Sequence, residues 1–213
     1  MGLDEIPLLD SHGEIVRTKT FLPHWQQEYR TYFVTFRLAD SLPRTVLDQW
    51  TEERLAWLGV NPEPWTAEVE RQYHARFSAR TEEWLDAGHG DCILRCPTNS
   101  EIVATALAFF EGQRCTQISW VVMPNHVHAL FTLHKSHALD KLIRSWKIYT
   151  SREINRATER SGALWQRDYF DRLIRDERHL INCTRYIRRN PEKARLVKGE
   201  YLLWESAISK GIE

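Results

Sequence analysis

The chain has 213 residues and a mass of 25.2 kDa, with 42% hydrophobic and 11% aromatic residues, which supplies one good core and excludes a disordered chain. Lys+Arg and Asp+Glu both number 29, and a formal charge of zero taken alone argues against a nucleic-acid partner. The balance is uneven along the chain, however: residues 1–134 hold 11 basic against 18 acidic residues, and residues 135–213 hold 18 against 11.

The N-terminus, Met1-Gly2-Leu3-Asp4-Glu5, is acidic where a signal peptide is basic, and no apolar run follows it. Ile6 stands where myristoylation needs Ser or Thr, and no stretch approaches the ~20 apolar residues that span a bilayer. A soluble, cytoplasmic protein with no membrane partner is expected. Residues 1–28 carry Pro7, Gly13 and Pro23 among scattered charges and read as an extended lead-in. Thr31 to Leu38 alternates as a strand with one face on a core. Helical character follows from Leu42-Pro43 to about Leu58, stops at Asn61-Pro62-Glu63-Pro64, and resumes over about 66–87 before Gly88-His89-Gly90. These stretches form a charged helical insertion of about 41–90. Cys92 to Arg95 reads as a short strand or an extended docking segment. Cys92-x3-Cys96 lacks the second close pair of a zinc site, so the four cysteines are expected as reduced, mostly buried thiols.

Asn99-Ser100-Glu101 reads as a helix start, with Ile102, Val103, Ala106, Phe109 and Phe110 as an apolar face up to Gly112. Two antiparallel strands follow, Ile118 to Val122 and His126 to Leu133, divided at Met123-Pro124-Asn125. A helix is expected from Ala138 to about Arg156, with Leu142, Trp146, Tyr149 and Ile154 on one stripe. The last runs from near Asp176 to Asn190, where Pro191 should end it. The order of elements predicts an α+β domain with helices packed on an antiparallel sheet.

Residues two apart on a strand share a face, so His126 and His128 point together while Val127, Ala129, Phe131 and Leu133 point to a core. Paired imidazoles on a rigid strand are a partial site for a divalent metal, and equally a pair of surface histidines. A histidine-triad hydrolase needs a third His where Leu130 stands. A metallo-β-lactamase-like site needs Asp-His where the chain has Leu130-Phe131. On the last helix, His179, Asn182, Tyr186 and Asn190 fall along one edge at steps of three, four and four. A helical Tyr is also an ordinary boundary aromatic, and the arginines around it also suit a solvated face.

These two sets together resemble a known family. Pro124-Asn125-His126-Val127-His128 looks like the HUH motif of single-tyrosine transposases. The run from Leu164-Trp165-Gln166-Arg167 through Asp176, with Tyr186-Ile187-Arg188-Arg189-Asn190-Pro191, is similar to the C-terminal signature of REP-associated tyrosine transposases. The resemblance covers roughly residues 30–198 of a single 1–213 domain. It implies a ferredoxin-like antiparallel sheet with helices packed on it, the HUH endonuclease fold. It implies His126, His128 and Asn190 as ligands of Mg²⁺ or Mn²⁺, and Tyr186 as the nucleophile that forms a 5′-phosphotyrosine on single-stranded or hairpin DNA. It also implies a monomer, with a dimer as the alternative. No nucleotide cofactor is expected, because the phosphotyrosine conserves the phosphodiester and no P-loop pattern is present.

Aromatics beside cations suit base stacking and phosphate contact. Trp165 with Arg167, Lys147 beside Trp146, and Arg172 beside Tyr169 are of this kind, although Trp146 and Trp165 also suit the core. Arg175, Arg185, Arg188 and Arg189 complete the candidate DNA-binding set. Two other readings stay open at this point: a hairpin-binding module of the same fold that does not cut, and a small-molecule metallohydrolase built on the two histidines.

Overall fold

The computed structural model describes residues 2–19, 23–62 and 66–212. It divides into two units, one of residues 1–39 with 93–213 and one of residues 40–92. In the first, the lead-in is more ordered than its composition implies. Strands β1 (Val16–Lys19) and β2 (Pro23–Gln26) pair as an antiparallel ribbon, Val16 opposite Gln26. The central sheet begins at β3 (Thr31–Arg37).

The second unit is helical. α1 (Arg44–Val60) is followed by α2 (Ala67–Tyr73), which passes through a wider π turn at His74–Ser78 into α3 (Ala79–Asp86). Trp57, Tyr73 and Phe77 form its own core. Arg54 is buried against that core, its Nε donating to the Tyr73 hydroxyl at 2.7 Å. Gly90, at φ +85°, closes the unit where a β-carbon would lie 2.6 Å from the Asp40 carbonyl oxygen.

The first unit resumes with a 3-10 turn at Ile93–Arg95, where a strand or extended segment was expected. α4 (Pro97–Phe109) then starts two residues earlier than Asn99, because Pro97 suits the first helical position. β4 (Cys115–Val122), β5 (His126–Leu133), α5 (Leu139–Ala157), β6 (Phe170–Leu173), α6 (Glu177–Lys193), β7 (Leu202–Glu205) and α7 (Ala207–Lys210) complete it. The five strands form one antiparallel sheet in the order β6-β3-β5-β4-β7. The run β3-α4-β4-β5-α5-β6 is the split βαβ arrangement of a ferredoxin-like fold, with β7 added beyond β4.

Strand parity sorts side chains onto two faces. Tyr32, Val34 and Phe36 of β3 and Val127, Ala129, Phe131 and Leu133 of β5 meet α4 and α5, with Trp146 at their centre. Phe33, Ile118, Val121 and Leu130 face the other way, against Leu180, Cys183 and Ile187 of α6. β3 therefore buries both faces rather than the single face expected of it, because α6 covers the side the sequence left open. α6 also runs past Pro191 to Lys193. The missing N–H of Pro191 removes one helical bond only, and the last turn is held by Ala194 N to Asn190 O at 3.0 Å and Leu196 N to Pro191 O at 2.9 Å. Asp176 caps the helix by accepting from His179 N at 2.7 Å.

Candidate functional site

The site forms where β5 faces α6. His126 and His128 are each 1% exposed, and their Nε2 atoms lie 3.0 Å apart. His126 Nδ1 meets Asn125 Oδ1 at 2.7 Å, and His128 Nδ1 meets Thr35 Oγ1 at 2.7 Å from the neighbouring strand. An amide oxygen only accepts, so His126 holds its proton on Nδ1 and turns the Nε2 lone pair toward His128. His128 then donates from Nε2 and accepts from the Thr35 hydroxyl at Nδ1. The four side chains form one relay of hydrogen bonds, Thr35 to His128 to His126 to Asn125.

Burial holds both imidazoles neutral. It is the first cause pushing His126 down to about 3, with the charges of Arg37 and Lys193 adding to it. His128 lies well below the ordinary histidine value for the same first cause, followed by His126 and Lys193. Phe33 stacks on His128 with ring centroids 5.4 Å apart.

Tyr186 of α6 stands against this pair. Its hydroxyl is 3.5 Å from His128 Nε2, and its ring meets His128 edge-on at 5.1 Å and Phe33 at 5.8 Å. Asn190, one helical turn further on, is 1% exposed, and neither its Oδ1 nor its Nδ2 has a hydrogen-bond partner. A buried amide without partners costs about 1–3 kcal/mol. Such an orphan fits a missing ligand, and the 3.0 Å between the imidazole nitrogens fits two adjacent ligands about 2.1 Å from one octahedral ion. Among the described residues no group of three or more His, Cys, Asp or Glu could hold a metal. His179 and Asn182 share the helix edge without joining the site: His179 Nδ1 accepts from Arg175 N at 3.3 Å, and Asn182 is exposed.

Residues 93–190 match the family model described as "Transposase IS200 like". The matched segment contains His126, His128, Tyr186 and Asn190. Among curated proteins none matches this chain. A solved structure described as "Structure of the REP associates tyrosine transposase bound to a REP hairpin" is similar at 16% identity, over 83% of this chain and 77% of that one, with a TM-score of 0.41. No helix of the described residues is long and apolar enough to cross a membrane.

The expected DNA-contacting residues divide into two groups. Trp165 is 6% exposed, packs edge-on against Phe36 at 4.8 Å and donates from Nε1 to Thr150 Oγ1 at 2.8 Å, so it is a core residue and not a stacking platform. Trp146 is likewise core, at 1%. Lys147 Nζ is turned inward, donating to the carbonyls of Gln166 at 3.0 Å and Asp168 at 2.9 Å, and burial pushes it down to about 8. It holds the 166–168 turn. Arg172 is half-buried over the Phe170 ring. Arg167, Arg175, Arg185 and Arg189 are exposed.

Arg188 is a brace. It donates to Glu205 Oε1 from Nε at 2.9 Å and Nη2 at 2.8 Å, to Ser209 O at 2.7 Å and to Ile212 O at 2.6 Å. These bonds tie β7 and α7 to the helix that carries Tyr186. Arg188→Met is expected to cost about 1–3 kcal/mol, because Glu205 and two carbonyls lose their donor together. Urea unfolding measures it, and a change within about 0.5 kcal/mol would show the brace to be idle.

Thr35 and Asn125 were absent from the sequence-derived site. Asn125 lies inside the Pro124-Asn125-His126 motif and was legible as a neighbour. Thr35 is 93 positions from His128 and becomes its partner only through the β3–β5 register.

Proposed function

We propose that the chain is a metal-dependent single-stranded DNA strand transferase of the REP-associated kind, acting at hairpin or palindromic DNA through a phosphotyrosine on Tyr186. The observation that carries this reading is the Tyr186 hydroxyl 3.5 Å from His128 Nε2, with the orphaned Asn190 amide one turn beyond it. Attack by the phenolic oxygen forms an O–P bond to the 5′ side and breaks the bond from phosphorus to the 3′ oxygen. The proton the phenol loses is balanced by the one the 3′-OH takes up. The reverse reaction on a new 3′-OH rejoins the strand with no nucleotide consumed. Phe33 and His128 hold the ring of Tyr186 in place, which confines the phenolic oxygen to one approach.

His126, His128 and Asn190 would hold Mn²⁺ or Mg²⁺, and imidazole nitrogens favour Mn²⁺ of the two. A bound ion of this kind polarises the scissile phosphate and lowers the charge barrier to attack. Binding needs both Nε2 lone pairs, so His128 must move its proton to Nδ1 and donate it to Thr35. A hydroxyl serves in both arrangements, because it donates in one and accepts in the other. Thr35→Val is therefore expected to weaken Mn²⁺ binding by about 10- to 100-fold, while Thr35→Ser keeps it. Isothermal titration with Mn²⁺ decides this, and equal affinity in Thr35→Val and wild type would overturn the positioning role.

The test of the reading is incubation of hairpin oligonucleotides with Mn²⁺ or Mg²⁺, followed by denaturing electrophoresis for a covalent adduct. The relay from Thr35 to Asn125 satisfies the imidazoles without an ion, and this favours a second reading, a hairpin binder that does not cut. Salt-dependent hairpin binding that is insensitive to chelator and yields no adduct would select that reading.

A further inference from the structure

Strand transfer would bring the negative charge of a phosphodiester against two neutral imidazoles and a phenol, none of which offsets it. Two cations stand beside that group. Arg37 ends β3, two residues after the Thr35 that reaches His128, so by strand parity it points to the same face. Its register partner on β5 is His126. Lys193 ends α6, seven residues after Tyr186 and three after Asn190, and so continues the stripe those residues make along the helix. The charge of Arg37 lowers His126, and that of Lys193 lowers both imidazoles, which places both cations within electrostatic reach of the pair. One cation comes from the sheet and the other from the helix, each at the end of its element.

We propose that Arg37 and Lys193 are a phosphate-binding pair that seats one phosphodiester of the single-stranded DNA beside Tyr186. The inference rests on the strand-transferase reading for its substrate class. Arg37 is half-buried, and burial lowers it only to about 10, so it stays charged at neutral pH. A planar guanidinium takes two phosphate oxygens at once, and this fixes the orientation of the group as well as neutralising it. Lys193 is exposed and supplies a point charge on the opposite element.

The test uses a fluorescent hairpin oligonucleotide with a single-stranded extension, titrated at several salt concentrations in the presence of chelator. Arg37→Gln and Lys193→Gln are each expected to lower the slope of log Kd against log salt by about 0.7, the amount for one lost single-strand phosphate contact. With Mn²⁺ present, Arg37→Gln is expected to form adduct about tenfold more slowly, and Lys193→Arg to retain most of the wild-type rate. Arg152→Gln, an exposed position on α5 across the sheet, is the control and should change neither quantity. A slope unchanged in both variants, or changed equally by Arg152→Gln, overturns the pair. If Arg37→Gln shows no cooperative melt, Arg37→Lys, expected to keep the slope but slow the adduct, and Lys193→Gln decide the question. Lower slopes without any adduct in wild type would remove the strand-transfer reading and keep the phosphate site. Adduct formed at wild-type rate by both variants would do the reverse.

Discussion

Tyr186→Phe is expected to abolish the covalent DNA adduct while leaving the fold and hairpin binding in place. The contrast follows from what the hydroxyl does in the structure. Its ring packs edge-on against Phe33 and His128, and those contacts survive in Phe. The oxygen meets His128 Nε2 at a long 3.5 Å, a contact whose loss should change stability by less than about 1 kcal/mol. Chemistry loses the oxygen proposed to form the bond to phosphorus, and adduct should fall by at least about 10³-fold. Adduct is read on a denaturing gel and hairpin affinity by fluorescence anisotropy on the same preparation. If Tyr186→Phe forms adduct at a rate near wild type, Tyr186 is not the nucleophile, and the role of the stripe on α6 must be sought in binding. If wild type and variant both form none but both bind, the non-cutting reading gains.

The parts of this site visible in the sequence were those with local periodicity. The two-residue repeat of β5 put His126 and His128 on one face, and the four-residue step on α6 put Tyr186 and Asn190 on one edge. Meeting of the two sets depends on α6 folding back across the sheet, which no local pattern encodes. The same limit hid Thr35 and Arg37, whose partners on β5 are set by register over more than 80 residues. β6 and β7 escaped notice because four residues each, Phe170–Leu173 and Leu202–Glu205, are too short to show alternation. Trp165 and Lys147 read as nucleic-acid contacts because an aromatic next to a cation looks alike at a surface and at a core boundary. Only Thr150 and the carbonyls of Gln166 and Asp168 reveal that both side chains are already engaged inside. The charge asymmetry also has a structural counterpart: residues 40–92 form a unit of their own, with 5 basic against 11 acidic residues. The rest of the chain is correspondingly basic, so whole-chain neutrality says little about the unit that carries the candidate site.

Acid is expected to destabilise the protein through His126 and His128 well before carboxylates titrate. Both folded values lie below that of a free histidine, because burial penalises the charged form, and for His126 the folded value is about 3. Above about pH 6.5 the imidazoles are neutral in folded and unfolded chains alike, and the pair makes stability independent of pH. As the pH falls below that value, the unfolded chain takes up protons that the folded one refuses, so stability is lost, and the loss from His126 continues down to about pH 3. Each such histidine costs about 1.4 kcal/mol per pH unit within the window, or about 2 kcal/mol between pH 6.5 and about pH 5. Urea unfolding in the presence of chelator at about pH 7 and about pH 5 measures the effect. The double variant His126→Gln, His128→Gln removes both titrating groups and should flatten the dependence, even if it is less stable than wild type at neutral pH. Parallel loss in wild type and double variant would show that other groups carry the acid sensitivity, and that the imidazoles accept protons within the folded site. The measurement thereby also tests the relay, since a histidine that charges freely in the folded state could not be held as the neutral donor or acceptor that Thr35 and Asn125 require.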